Sequence, residues 1–566
     1  MRYLALATDY DGTLASQGRV NQQTVAALER LRKSGRKLIL VSGRELGDLL
    51  NVFPEIHIFD CAVLENGALL YDPRTRTETV IAEPPPEKFV LALRERGVPV
   101  SVGRSIVATW HPHENAVLEV IQQLGLELHV IFNKGAVMVL PSSVNKASGL
   151  TAALKMLSLS EHNVVAIGDA ENDHAFLAAS ECAVAVANAL TALKERADIV
   201  TQADHGAGVE EIIEQLLKDD LASFVQPDRR HQVMLGNDDQ GQEISIPAFG
   251  PCILIAGPSG SGKSTIVTAL LERLCDQHYQ FCVVDPEGDY EQFFESVTLG
   301  GAKTPPLTAE IKSLLEQYKN GVINLLGIPL DDRPSHFSEL LPIIQQMRAR
   351  TGRPHWIVLD EVHHLLPASS LPAAVIPTEV LYSTIMVTVH PDHISPRTVA
   401  AVDTVVVVGA NPAETIGKFC QAANHNMPNM KRGRPRQGQV FYWRTKTDEP
   451  VRTLHVRPAR AERQRHRRKY AEGDIHEKSF FFRGPEGKLN LKAQNLAIFL
   501  QMADGVDDET WNFHLRQHDY SRWIKDAIKD DDLARQVAQI EVQRLLPKDS
   551  RAHIRKAISE KYTNAA

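Results

Sequence analysis

The 566-residue chain lacks most of what would place it outside a reducing, aqueous compartment. Its six cysteines, Cys61, Cys182, Cys252, Cys275, Cys282 and Cys420, include no CxxC pair, which argues against a clustered thiolate zinc site and a disulfide framework. No run approaches the ~18 apolar residues of a membrane span. The opening stretch is interrupted by Asp9 and Asp11, unlike a signal peptide. The expectation is a cytoplasmic protein with no membrane partner. A surplus of basic charge is missing too: 62 Lys and Arg stand against 70 Asp and Glu, a net charge of −8. No global field advertises nucleic acid, so any such contact has to be local.

What is present is ordinary globular composition, 43% hydrophobic, and enough length for about three or four domains. Mid-chain, the apolar run Cys252 to Ala256 meets Gly257-Pro258-Ser259-Gly260-Ser261-Gly262-Lys263-Ser264, followed by Thr265. This is a buried strand feeding a GxxxxGK[ST] loop. Glycines at 257, 260 and 262 let backbone N–H groups, including that of Ser261, close around a polyphosphate. Lys263 neutralises outer phosphates, and the Ser264 hydroxyl is placed to hold Mg²⁺. A helix from Ile266 to Leu274 adds its dipole. ATP and Mg²⁺ are the expected ligands.

The N-terminal third repeats one pattern three times. Strand Tyr3 to Ala7 delivers Asp9-Tyr10-Asp11-Gly12-Thr13-Leu14. After a helix from Gln22 to Ser34, strand Lys37 to Val41 delivers Ser42-Gly43-Arg44, and strand Val164 to Ile167 delivers Gly168-Asp169-Ala170-Glu171-Asn172-Asp173. Chemistry collects at the carboxyl ends of strands in open α/β sheets, and paired carboxylates with Mg²⁺ can attack and protonate an anionic substrate. On DYDGTL, VSGR, Lys146 in SSVNKASGL, and GDAENDHAF, residues 1–217 resemble a haloacid dehalogenase-like phosphatase of the Cof type, with a cap between the second and third motifs. The resemblance implies that Asp9 is the nucleophile and Asp11 the acid/base. It places Ser42 and Lys146 on the phosphoryl oxygens. Mg²⁺ would lie among Asp9, the Asp11 carbonyl, Asp169 and Asp173, with Asn172 and Asp173 orienting the site and Asn66-Gly67 and Asn188 beside it. The cap, about 84–145, contains Trp110, His111 and His113, which read as packing or surface residues.

Gln226 to Arg230 marks a boundary. A hairpin is expected from Gln232 to Leu235 and Glu243 to Ile246, and Phe281 to Val284 is a second strand ending in Asp285-Pro286-Glu287-Gly288-Asp289-Tyr290. Strand Trp356 to Leu359 ends in Asp360-Glu361, a Walker B pair: Asp360 reaches Mg²⁺ through its water shell and Glu361 activates water. Residues 231–456 resemble the HerA and FtsK side of the RecA-like ATPases, which implies ATP hydrolysis and a ring-forming homo-oligomer. Val389 stands where that family tends to carry a sensor glutamine, and Arg397 reads as a solvated arginine rather than a finger. His363 and His364 are expected on a helix with structural roles.

The basic segments 431–436 and 457–469 fit DNA phosphates or a solvated linker equally. In residues 476–566, helical text runs over Ala493 to Ala503, Asp507 to Leu515, Tyr520 to Ile528 and Asp532 to Leu546. Trp511, Phe513, Tyr520 and Trp523 form a core stripe, and Asp530 to Asp532 a solvated patch. The expected fold class is α/β: a Rossmann-like hydrolase core with an α/β cap (1–220), a RecA-like P-loop domain (231–456), a basic linker (457–475) and a small helical module (476–566). The functional expectation is a Mg²⁺-dependent phosphomonoesterase for a small phosphorylated metabolite such as a sugar phosphate, gated or powered by the ATPase. An ATP-driven DNA translocase with an attached phosphatase is the alternative, and an end-healing kinase-phosphatase is disfavoured by Glu361.

Overall fold

The computed structural model describes residues 1–566 except 134, 225–230, 292, 294, 369–380, 431–437, 461–478, 529, 544 and 564–566. The boundary at 226–230, the basic segment 431–436 and positions 461–469 of the second basic segment lie outside the described residues. The chain divides into two compact units, residues 1–263 with 273–456, and residues 264–272 with 457–566.

The first unit contains two sheets built on buried parallel strands. Ala5–Asp9, Lys37–Val41, Cys61–Leu64, Val164–Gly168, Cys182–Ala185 and Ile199–Val200 are near-continuous apolar runs, the pattern of strands covered on both faces. Ala5–Asp9 lies centrally, parallel to both Lys37–Val41 and Val164–Gly168. It runs two residues beyond the expected end, so Asp9 is its final residue. Two antiparallel strands, Leu69–Asp72 and Thr77–Val80, finish the eight-stranded sheet. Helix Gln22–Lys33 is capped by Asn21, whose side chain accepts from Gln23 N, and buries Val25, Leu28 and Leu31.

Above this sheet sits a four-stranded antiparallel cap, Ser101–Val102, Val107–Trp110, Ala136–Pro141 and Leu128–Asn133 in spatial order. One face is covered by helices Glu87–Glu95 and Glu114–Leu124 through Phe89, Leu93, Val117 and Val120. On the other, Ile106, Met138 and Leu140 pack with Ala68. Alternation along the strands separates the two sets. Trp110 is exposed and His111 pairs with Glu114 at the surface.

The second sheet has eleven strands. Seven are parallel, and the phosphate-loop strand Cys252–Ala256 lies between Thr384–Thr388 and Thr404–Val407. Trp356–Leu359 and Phe281–Asp285 follow beyond Thr384–Thr388. The hairpin Gln232–Asp238 and Glu243–Pro247 joins the antiparallel edge with Gln439–Arg444 and Arg452–Val456. The helix after the loop is Lys263–Asp276, starting three residues earlier than expected because Gly262, at φ 103°, turns the chain directly into it. The helix expected at His363 and His364 is a single 3₁₀ turn, Val362–His364. Glu361 preceding it has φ 38°, which breaks continuity.

In the second unit, a hairpin, Phe480–Phe482 with Leu491–Ala493, packs on helices Leu496–Gly505, Asp508–Arg516, Asp519–Trp523, Asp531–Val542 and Pro547–Ile558. Trp511, Tyr520 and Trp523 are buried, and the Trp511 and Tyr520 rings stack at 4.5 Å. The expected final helix ends at Val542, and Pro547, favourable at a first helical position, opens another. Asp530 is not a solvated residue: it caps a helix at Leu533 N and accepts from Lys561 and Tyr562. Among the described residues no helix is long and apolar enough to cross a membrane.

Candidate functional site

The carboxyl ends of the first sheet bring together residues far apart in sequence. Lys146 opens helix Lys146–Met156, capped by Asn145, and its buried ammonium lies 2.6 Å from Asp9 Oδ1 and 2.6 Å from Asp173 Oδ1. The other Asp173 oxygen accepts from Asp169 N and Ala170 N at 2.8 and 2.9 Å. Thr13 donates to Asp169 Oδ1. Donor oxygens of Asp9, Asp169 and Asp173 lie within 4.8 Å of one another. Burial pushes the Asp9 carboxyl up to about 8; Lys146 opposes this, and Asp173 and Asp169 add to it. Burial opposes the Lys146 charge, but Asp173 and Asp9 keep its ammonium protonated. One ammonium facing three carboxylates leaves a negative, oxygen-lined site, which fits Mg²⁺.

Ser42 is buried, with its hydroxyl accepting from Arg44 N at 3.1 Å. Asp11 is gripped by Arg44, Nε to Oδ2 at 2.7 Å and Nη2 to Oδ1 at 2.8 Å, a bidentate pair of the strong kind. Asn172 donates to Asn66, and Asn188 donates to the Gly12 carbonyl. Gly67 is required where it stands: at φ 106°, an added Cβ would meet the Asn145 carbonyl at 2.0 Å. That close approach seats the Lys146 helix. Sequence reasoning missed Glu65. Its carboxylate accepts from Arg104, Ser105 and Ile106 backbone N–H groups at 2.8 to 3.0 Å, tying the cap's turn to the core. Its position beside Asn66-Gly67 was the only available signal.

The second centre is built by loops after Cys252–Ala256, Phe281–Asp285 and Trp356–Leu359. Gly257, Gly260 and Gly262 have φ of 158°, 73° and 103°. A Cβ on Gly257 would meet the Val408 carbonyl at 2.2 Å. Lys263 Nζ donates to the Gly257 and Pro258 carbonyls at 3.0 and 3.1 Å, which holds the ammonium inside the loop. The buried Ser261 Oγ has no hydrogen-bond partner among the described residues, as fits a loop made to wrap an acceptor-rich ligand. Ser264 and Thr265 follow in the first turn of helix Lys263–Asp276.

Five acidic groups influence this centre. Burial, then Asp285 and Glu361, push Asp360 well above the carboxylate range. Glu361 rises to about 7 through burial and the charges of Glu287 and Asp289, with Lys263 opposing. Asp285 rises to about 6, mainly by burial, although backbone N–H groups of Tyr290 and Asp289 hold it down. Such a cluster favours a cation. His363 sits beside it: Nδ1 lies 3.1 Å from Thr388 Oγ1 and 3.4 Å from Glu361 Oε2. Arg397 is exposed.

Both centres occupy carboxyl ends of their strands, while the two sheets meet through the opposite ends. His162 precedes strand Val164–Gly168 and Glu181 precedes Cys182–Ala185; Tyr279 and His355 precede Phe281–Asp285 and Trp356–Leu359. The His162 and Tyr279 rings stack at 3.7 Å. Glu181 is in contact with His162 Nδ1 (2.9 Å), accepts from Tyr279 OH (3.0 Å) and pairs with Arg2. Burial opposes its charge, but the hydrogen bond from His162 and the charges of Arg2 and His231 hold it down at about 2.

With this geometry in view, the chain matches the haloacid dehalogenase-like hydrolase family over residues 6–104 and 111–213. It is 30% identical over 229 residues to phosphoglycolate phosphatase 2 of Saccharolobus solfataricus, covering 39% of this chain and 96% of that protein. To the phosphoglycolate phosphatase of Methanothermobacter thermautotrophicus it is 32% identical over 220 residues, 38% of this chain and 98% of that protein. A solved haloacid dehalogenase-like hydrolase from Bacteroides thetaiotaomicron aligns at 18% identity with TM-score 0.35, covering 38% of this chain and 99% of that one. The chain belongs to the haloacid dehalogenase-like hydrolases. Residues 242–374 match an AAA ATPase domain, so the hydrolase is fused to a P-loop ATPase, and the protein is a phosphatase and an ATPase in one chain.

Proposed function

We propose a Mg²⁺-dependent phosphomonoester hydrolase that works through an aspartyl-phosphate on Asp9 and is gated by ATP at the second centre. The observation that carries this reading is Lys146 bridging Asp9 and Asp173 beneath the cap. Asp9 attacks phosphorus, the ester P–O bond breaks, and Asp11 gives the leaving oxygen its proton. Asp11 then takes a proton from the water that releases phosphate from Asp9. Ser42 and Lys146 hold the phosphoryl oxygens, and Asp173 with Asn172 keeps Lys146 and the loop in place. Asp9, Asp169 and the Asp11 carbonyl would hold Mg²⁺, which would supply the positive charge that lets a carboxylate approach a phosphate dianion.

Because Arg44 grips both oxygens of Asp11, Asp11 acts once Arg44 turns to another anion. A small substrate with a second anionic or strongly polar group fits that exchange. Phosphoglycolate, the substrate named for the relatives, and sugar phosphates are the first classes to test. At the other centre, Lys263, Ser264 and Thr265 would bind the nucleotide phosphates, Asp360 would help hold Mg²⁺, and Glu361, poised at about 7, accepts a proton from the attacking water. Gating is supported by the direct packing between the starts of the strands that end in the two centres.

The test is formation of the dephosphorylated product, glycolate or free sugar, from phosphoglycolate and a sugar-phosphate panel, with and without Mg²⁺, each with and without ATP. The reading expects turnover only with Mg²⁺ and a change in kcat on adding ATP. Turnover that survives metal chelation sinks the mechanism; turnover indifferent to ATP sinks the gating.

A further inference from the structure

Beyond the ATPase carboxylates lies a cluster with different donor chemistry. After strand Thr384–Thr388, Val389 leads into His390-Pro391-Asp392-His393, and Pro391–His393 forms a 3₁₀ turn closed by His393 N donating to His390 O at 3.1 Å. In 3₁₀ geometry, side chains three positions apart eclipse one another. The His390 and His393 rings accordingly stack, with centroids 4.7 Å apart and planes 25° from parallel. Asp392 completes the group: one donor atom from each of the three residues lies within 4.8 Å of the others, and all three are exposed. The turn is held in place by Ala368 N donating to His393 O at 2.9 Å and by the bridge between Pro367 and Ile394. Pro391 fixes its first φ.

We propose that His390, Asp392 and His393 form a transition-metal site, separate from the Mg²⁺ sites, taking Zn²⁺, Co²⁺ or Ni²⁺. Two imidazoles and one carboxylate are the donors such borderline ions select, whereas Mg²⁺ demands oxygen ligands. Three protein ligands leave further positions for water, as in open zinc sites. The site also has a short route to the ATPase centre. His390 N donates to Thr388 Oγ1 at 2.9 Å, Thr388 Oγ1 is 3.1 Å from His363 Nδ1, and that nitrogen is 3.4 Å from Glu361. A metal that fixes His390 therefore acts on the residues positioning the water-activating carboxylate.

The experiment titrates Co²⁺ into the full chain in a large excess of Mg²⁺, following the visible d–d absorption, and then displaces Co²⁺ with Zn²⁺. The expected result is one equivalent bound, with affinity falling by more than about tenfold in His393→Ala, since loss of even an outer-shell partner of a ligand costs about that much. His393→Cys restores binding and adds a thiolate charge-transfer band. His231→Ala, at the buried cluster with His162 and Glu181, leaves binding unchanged. Absence of saturable binding overturns the proposal, as does equal affinity in His393→Ala or loss of the site in His231→Ala. Because His390, Asp392 and His393 are at the surface, the variants retain nucleotide binding, which is measured alongside as the folding control.

Discussion

In the phosphatase centre a buried ammonium lies 2.6 Å from each of two carboxylates. In the ATPase centre the lone lysine hydrogen-bonds its own loop, and Asp285, Asp360 and Glu361 are all pushed toward their protonated forms. Both gather acidic groups at the ends of parallel strands, and in both burial raises a carboxyl, Asp9 to about 8 in the first; the first is partly compensated by its buried ammonium, whereas the second relies on protons or on a cation. The first is preorganised before substrate arrives. In the proposed function the second is assembled when Mg²⁺ and nucleotide bring the charge that Lys263 alone does not supply.

The most severe way to separate the centres is Asp9→Asn, which removes the proposed nucleophile while keeping the volume. Phosphatase turnover should fall on the order of 10⁴-fold or more, the scale of nucleophile loss, with ATP hydrolysis intact; a parallel fall in ATPase rate would show the centres to be one machine. Lys263→Ala is the reciprocal change. It should cost roughly 10²–10³-fold in kcat/KM for ATP, the scale of losing one transition-state donor, and leave ATP-free phosphatase turnover unchanged; calorimetry showing unaltered nucleotide affinity would contradict the loop's role.

Glu181→Gln probes the contact between the sheets. It leaves the Arg2 charge without its carboxylate, and breaking such a buried pair costs about 3 kcal/mol. A lower melting temperature and loss of the ATP effect on phosphatase turnover are expected; loss of neither would mean the sheets communicate elsewhere. Glu65→Gln is smaller, about 1–3 kcal/mol, since one of the backbone N–H groups at Arg104, Ser105 and Ile106 loses its acceptor. Its mark should be a raised KM for the phosphorylated substrate, with ATP hydrolysis unaffected.

The mildest test is pH. Asp9, Asp285 and Glu361 have folded pKa values above their unfolded ones, so between about pH 4 and 8 the folded state holds more protons. Nucleotide-free stability should therefore fall as pH rises through that window, and Mg²⁺-ATP should restore the share carried by Asp285 and Glu361. Glu181 has the opposite sign: its value near 2 gives a contribution present above its unfolded pKa and lost as pH falls toward 2. Thermal unfolding across pH with and without Mg²⁺-ATP separates the two, and an unchanged slope on adding Mg²⁺-ATP would contradict the charge account.

Much of this was legible in the sequence because the signals are local. Apolar runs ending in Asp9, Ser42, Asp169, Gly257 and Asp360 mark buried strands and their chemically active ends, and glycines mark the loop that wraps phosphate. The helix start at Lys263 and the 3₁₀ turn after Glu361 were misjudged because single residues with positive φ, Gly262 and Glu361, decided where a helix could begin.

What the sequence determined by itself is the inventory and its order: four hydrolase motifs, a phosphate loop, a Walker B pair and an aromatic helical tail, each fixed by residue type and short-range spacing. Tertiary structure alone decided which charges face one another. Lys146 reaches Asp9 across 137 positions, Arg44 takes Asp11, Glu65 holds the cap, and Glu181 joins the starts of two sheets. Those pairings depend on distance across the fold and on removal from water, and neither is a property of any stretch of chain read alone.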